Sequence, residues 1–162
     1  MQAGNLKELY VQALQDMYSG ECMLVEALPE MASNAEHADL KTAFDDHLEE
    51  TKTQIKRLEG IFGELGQSPN GVKCAGIEAL TKEGEAIMSA GPSNVRDAAM
   101  IAVAQRVEHY EIATYGSLCT YAELLDRRGD LDKLKETLSE EKEADGKLNS
   151  IAKEVVNPAA AA

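Results

Sequence analysis

The chain has 162 residues, with 16 Lys+Arg against 29 Asp+Glu and a formal net charge of −13. That length fits one domain that can bury a core without disulfides, and 44% hydrophobic with 28% charged residues is the balance of a globular chain. The charge repels phosphate at every approach, which argues against nucleic-acid and anionic-membrane partners, and no run of about 20 apolar residues is present to span a bilayer. The stretch Met1-Gln2-Ala3-Gly4-Asn5 has neither the basic nor the apolar region of a secretory signal. Cys22, Cys74 and Cys119 are odd in number, far apart and without a CxxC pair, which excludes a zinc ribbon, a rubredoxin-type iron site and a thioredoxin motif. The expectation is a cytoplasmic, reducing environment with three small, partly buried thiols.

Glycine and proline fall at boundaries, the punctuation of an all-helical chain. A first helix starts at Asn5, with Glu8 completing a capping-box-like pattern, and runs to about Ala32, where Pro29 kinks or ends it. Ser33-Asn34-Ala35-Glu36 opens a second helix to Leu65, closed by Gly66. After a turn over 67–71 comes a shorter helix from Cys74 to Ala90, then a break at Gly91-Pro92-Ser93-Asn94. A third long helix spans Val95 to Arg128, and Gly129-Asp130 separates it from a fourth that reaches Val156. Residues 1–156 read as one domain and 157–162 as a frayed tail. Two antiparallel hairpins joined by a long crossover carrying an extra short helix make an all-α, ferritin-like four-helix bundle. The rival topology is an up-and-down bundle with a helical insertion.

Each long helix has an apolar stripe at helical spacing that turns acidic or polar near its centre. The first reads Tyr10, Leu14, Met17, Glu21, Leu24, Leu28, Met31, and the second Leu40, Phe44, His47, Glu50, Gln54, Leu58, Ile61, with Thr51 and Ile55 alongside. The third reads Ile101, Ala104, Glu108, Glu111, Tyr115, Leu118, Ala122, Leu125, and the fourth Leu131, Leu134, Leu138, Glu141, Asp145, Leu148, Ala152, Val155. Bringing these centres together buries up to six carboxylates: Glu21, Glu50, Glu108, Glu111, Glu141 and Asp145. A buried carboxylate costs several kcal/mol unless it is protonated, paired or bound to metal. No lysine or arginine shares the central positions, so a pair of divalent cations is the natural neutraliser. Oxygen ligands with one or two imidazoles suit iron or manganese better than copper or a thiolate zinc site. The alternatives are a hydrated polar seam and carboxylates at stripe edges that reach water.

His47 shares a face with Glu50 and reads either as a ligand or as a residue behind the ligands. His109 lies one residue off the Glu108–Glu111 stripe, in an orienting or surface position, and His37 at a helix start is solvated. Tyr18 and Tyr115 each lie one turn from a candidate ligand, placed to pack in the core or to hydrogen-bond a carboxylate. Met17, Met23, Met31, Met88 and Met100 fill the core or its boundary.

Several stretches resemble the YciF/YciE-type bacterial stress proteins of the ferritin-like superfamily. They are Leu14-Gln15-Asp16-Met17-Tyr18-Ser19-Gly20-Glu21, His47-Leu48-Glu49-Glu50-Thr51, Val107-Glu108-His109-Tyr110-Glu111-Ile112-Ala113 with Tyr115-Gly116, Lys135-Glu136-Thr137-Leu138, and Glu140-Glu141-Lys142 with Asp145. The resemblance spans nearly the whole chain and implies a dinuclear metal centre, a homodimer and a link to stress. The superfamily takes one carboxylate from its first helix, Glu-x-x-His from the second and fourth, and Glu or Glu-x-x-Glu from the third. Glu21, Glu50, Glu108, Glu111 and Glu141 fit the carboxylate positions. Thr53 and Ala144 stand where the superfamily has His, while His47 precedes Glu50 by three and Asp145 follows Glu141 by four. The resulting metal set is Glu21, His47, Glu50, Glu108, Glu111, Glu141 and Asp145, richer in carboxylate than usual.

Three functions follow. Two divalent ions, iron first and manganese second, would reduce O2 or peroxide; the lack of a CxxC electron relay weighs against a complete rubrerythrin-like peroxidase. Alternatively the ions only hold the bundle together, or the bundle is metal-free and serves structure or partner binding.

Overall fold

The computed structural model describes residues 3–91 and 93–162; Met1, Gln2 and Pro92, on which the signal and loop readings partly rest, lie outside the described residues. The long helices are α1 (Leu6–Asn34), α2 (Ala38–Leu65), α4 (Asn94–Leu124) and α5 (Arg128–Ile151), with the shorter α3 (Ala75–Met88) in the crossover. The expected all-α, ferritin-like arrangement is the one observed. Helices α1 and α2 form one hairpin, α4 and α5 the other, and the hairpins meet through α1 against α4 and α2 against α5. Tyr10 of α1 donates to Asp130 of α5 at 2.9 Å, so these two helices start at the same end. Asp97 of α4 accepts from the backbone N–H of His37 at 2.9 Å, so α2 and α4 start together at the other end. The 66–93 connection must therefore climb the length of the bundle, and α3 covers that climb by packing on α1 and α4.

Local chemistry sets most of the ends. Asn5 accepts from the Glu8 backbone N–H at 2.9 Å while the Glu8 carboxylate takes the Gly4 N–H at 2.8 Å, a reciprocal cap on α1. Gly66 closes α2 in the left-handed region at φ 62°, where an L side chain is disfavoured, with Gln67 N–H returning to Phe62 O at 3.1 Å.

Four boundaries differ from the pattern reading. Helix α1 runs through Pro29 to Asn34: Pro29 is exposed, and Leu28, Met31 and Ala32 beside it are buried, so packing holds the turn that the proline weakens. Helix α2 starts at Ala38, because buried Asp97 takes the Glu36 and His37 backbone N–H groups and His37 stays extended. The α4–α5 break falls at 125–127 instead of Gly129-Asp130. Asp126 adopts φ 56°, and Arg127 N–H bonds Ala122 O at 2.9 Å, a helix end built on a non-glycine residue. After Ile151 the backbone widens into a π-helical turn, Ala152–Val156, then a short α6, Asn157–Ala160. Residues 157–160 of the segment read as a frayed tail are thus helical, and Asn94 Nδ2 donates to the Ala159 carbonyl at 3.2 Å.

Two apolar cores result, not one. One gathers Leu24, Leu28, Phe44, Ile77, Met100 and Leu148 at one end; the other gathers Tyr10, Leu14, Met17, Leu58, Ile61 and Leu134 at the opposite end. Between them lies a polar layer at mid-bundle.

Candidate metal centre

The polar layer is formed by the central turn of each long helix. Glu21 from α1, Glu108 and Glu111 from α4 and Glu141 from α5 are 0–3% exposed, and His47 from α2 is 7% exposed. Ligand atoms of His47, Glu108, Glu111 and Glu141 all lie within 4.8 Å of one another. His47 Nε2 stands 3.4 Å from Glu108 Oε1 and 3.9 Å from Glu141 Oε2. Its other ring nitrogen, Nδ1, is 3.4 Å from Glu50 Oε2. With Nδ1 donating a hydrogen bond to the exposed Glu50 side chain, Nε2 is left to face the carboxylates. Thr51 donates to the His47 carbonyl at 2.8 Å. Glu21 sits beside the four, held by a hydrogen bond from the Tyr115 hydroxyl.

The electrostatics are those of a site awaiting positive charge. Both oxygens of Glu111 and Glu141, and Oε2 of Glu21 and Glu108, have no hydrogen-bond partner. Burial, and then repulsion from Glu141, push the Glu21 carboxyl up to about 8 against Tyr115, which pulls it down. Burial likewise raises Glu108 to about 8, with Glu21 and Asp145 adding to the rise and its contact with Glu141 opposing it. Burial and neighbouring carboxylates hold Glu111 and Glu141 well above the usual range. For His47, burial is the largest influence and lowers it. The Glu50 hydrogen bond and the charges of Glu141 and Glu21 outweigh that and raise it. Among the described residues no lysine or arginine enters this layer; Arg57 is spent on Glu136 and Glu140 at 2.6–2.8 Å. Orphaned acidic oxygens with one imidazole fit a divalent cation with hard or borderline preferences.

The structure sorts the sequence candidates. His47, Glu108, Glu111 and Glu141 converge, with Glu21 adjacent. Glu50 is not buried: its side chain is 47% exposed and it touches the cluster only through His47. Thr51 takes the inward place on α2, fully buried. The strict 4,3,4,3 alternation of Leu40, Phe44, His47, Thr51, Gln54, Leu58, Ile61 carries that signal, and the sequence stripe departed from it at Glu50. Asp145 is half-buried and turned aside, accepting from Gln105 Nε2 at 3.0 Å with His109 Nε2 at 3.6 Å. The inward face of α5 is shifted by about one residue, so Asp130, Thr137 and Val156 are buried where Leu131, Leu138 and Val155 were expected. His109 is a surface residue, 69% exposed. Tyr18 bonds Glu59 at 3.3 Å, away from the layer. The three cysteines are free, with Cys74 and Cys119 buried. Missed altogether was the Arg57 clamp on Glu136 and Glu140, which no local sequence signal marks.

Comparison with known proteins agrees with this architecture. Residues 5–161 match the model of a family described as a domain of unknown function, DUF892. Protein YciF of Escherichia coli strain K12 is 43% identical over 159 residues, covering 97% of this chain and 96% of that protein. The crystal structure of that stress protein superposes with a TM-score of 0.91 at 41% identity over 96% of this chain and 99% of its own. YcfI from Rhodopseudomonas palustris gives 0.87 at 43% identity, over 91% and 95% of the two chains. A ferritin-like, diiron-carboxylate protein from Bacillus anthracis shares the fold at a TM-score of 0.72 and 16% identity, over 93% of this chain and 99% of that one.

Proposed function

The chain belongs to the DUF892 family, and from that premise we propose that it is a stress-linked bundle binding a pair of divalent metal ions, iron or manganese, for reduction of O2 or peroxide. One observation supports this most: six buried carboxylate oxygens from three helices face one another without a hydrogen-bond partner. Leaving them so is costly, since each orphaned acidic group forfeits its hydration. His47, Glu108, Glu111 and Glu141 would hold one ion, and Glu21 extends the set to a second. Bound iron or manganese would supply electrons to the oxidant, a reaction carboxylates suit because they can chelate or bridge.

The remaining work belongs to the chain. Glu50 fixes the imidazole so that Nε2 faces inward. Tyr115 holds one Glu21 oxygen and leaves the other free. The two apolar cores flank the layer on both sides, which lowers the local dielectric.

The test is metal content per chain after purification without a metal-binding tag, followed by anaerobic Fe(II) loading and addition of O2 or H2O2. The expected result is bound metal that is lost in the double variant Glu111→Ala, Glu141→Ala, and oxidant consumption by the loaded wild type. Absence of bound metal after loading would overturn the proposal. Bound metal without oxidant consumption would reduce the ions to a structural role.

A further inference from the structure

The start of the crossover, residues 66–74, lies outside the helices and holds the one Asn-Gly pair of the chain, Asn70-Gly71. An asparagine side chain followed by glycine is open to attack by the glycine nitrogen, because glycine has no Cβ to hinder the approach. The attack needs a free side-chain amide, an unengaged N–H after it, and a peptide plane that can turn.

Asn70 meets all three conditions. Both it and Gly71 are exposed. Among the described residues no hydrogen bond engages the Asn70 side-chain amide or the Gly71 N–H. Asn70 bonds only through its backbone: its N–H donates to Ser68 Oγ at 3.2 Å, and its carbonyl accepts from Gln15 Nε2 at 3.3 Å. Gln15 Nε2 also donates to the Ser68 carbonyl, at 2.9 Å. Turning the Asn70–Gly71 plane therefore gives up one long, exposed hydrogen bond, which slows the reaction by about tenfold at most.

The other asparagines fail one condition each. The side-chain NH2 groups of Asn5, Asn34 and Asn94 are spent on Glu8, the Glu30 carbonyl and the Ala159 carbonyl. Asn149 lies inside α5, where turning its plane would break the helical ladder. Asn157 precedes Pro158, which has no N–H.

We propose that Asn70 is a site of spontaneous covalent modification in the folded chain, converting to aspartate and β-aspartate. The Gly71 nitrogen bonds Asn70 Cγ, the side-chain nitrogen leaves as ammonia with the Gly71 proton, and a cyclic imide forms. Water then opens either carbonyl, so the net change is one water taken up and one ammonia released. Opening at one carbonyl restores the backbone with an aspartate side chain. Opening at the other runs the backbone through the side chain, lengthens it by one methylene and leaves a carboxylate where Gln15 held a carbonyl. Either product adds negative charge to the groove between this segment and α1, which Lys73 also lines. The inference goes beyond the metal reading and does not depend on it, since it uses only the crossover and Gln15.

The test incubates metal-free wild type, Asn70→Ser and a capped peptide of residues 66–73 at neutral pH in 18O-labelled water, which marks each conversion with a heavy oxygen. Trypsin releases residues 58–73, in which Asn70 is the only asparagine. The β-aspartate is counted by methyl transfer from S-adenosylmethionine with a protein carboxyl methyltransferase. Asn70 in the folded chain is expected to convert within about tenfold of the peptide's rate, while fragments holding Asn34, Asn94 and Asn149 stay unlabelled. Asn70→Ser should keep the wild-type circular dichroism, since the Asn70 side chain meets no partner, and should accept methyl groups at no more than about a tenth of the wild-type level. Conversion slower than that range would overturn the proposal. So would as much heavy oxygen at Asn149 as at Asn70, or methyl acceptance by Asn70→Ser above that level.

Discussion

Glu108→Gln replaces a buried acid with a neutral amide of the same shape. In the metal-free protein the Glu108 carboxyl titrates near 8, against 4.5 for an ordinary side chain. A folded-state value above the unfolded one means that stability is fully present below the unfolded value and is lost as pH rises through the folded one. Between about pH 5 and pH 8 the unfolded chain releases this proton and the folded chain largely keeps it. Over those roughly three units, at about 1.4 kcal/mol per unit, wild type loses on the order of 4 kcal/mol through this group. The amide does not titrate and is spared that loss, although its NH2 group needs acceptors and costs about 1 kcal/mol at pH 5. The variant should thus be slightly less stable than wild type near pH 5 and more stable by roughly 3 kcal/mol near pH 8, or about 6–12 °C in Tm for a domain of this size. The assay is urea and thermal unfolding of chelator-dialysed protein, followed by circular dichroism at both pH values. Adding Mn(II) at pH 8 should reverse the order, because the cation needs the carboxylate that the variant lacks. Parallel pH dependence of the two metal-free proteins, or a wild type that gains stability from pH 5 to pH 8, would refute the reasoning.

Two further substitutions test the frame that positions the layer. Arg57 binds both Glu140 oxygens at 2.6 and 2.8 Å and Glu136 at 2.8 Å, clamping α2 to α5 beside the cluster. Arg57→Met keeps most of the stem packing and should cost about 1–3 kcal/mol in chemical denaturation, with a weaker salt dependence than wild type. Gly76→Ala would place a Cβ 2.5 Å from Tyr110 Cε2, where α3 lies against α4. It should lower stability by about 1–3 kcal/mol despite alanine's higher helix propensity, and a gain in Tm would contradict the packing described for this contact.

The candidate site was more legible than its details. Glu21, Glu108, Glu111 and Glu141 could be found because each interrupts an otherwise apolar stripe, and His47 because it occupies the same depth on α2. Glu50 and Asp145 misled for one geometric reason. Successive helical residues are about 100° apart, so a stripe read at mixed spacings of three and four is uncertain by one position. On α2 that position exchanged Thr51 for Glu50, and on α5 it turned Asp145 aside toward Gln105. Tyr115 lay on the α4 stripe as a core residue, and only the approach of α1 to α4 gives its hydroxyl Glu21 as an acceptor.

By itself the sequence determined the helices and an acidic layer between two apolar ends, while the contacts of Tyr10 with Asp130 and of His37 with Asp97 settled the crossover topology over its up-and-down rival. The helices and the layer follow from local capping and from periodicity, which act along a single segment. Tertiary structure decided what no single segment encodes. Buried Asp97, sixty residues along the chain, sets where α2 begins by taking its leading N–H groups. The register of α5 against α4 decides which acids meet. The seating of α3 across α1 and α4 fixes the path of the crossover along the bundle. Each of these is a contact between distant elements, and its energy depends on how those elements pack.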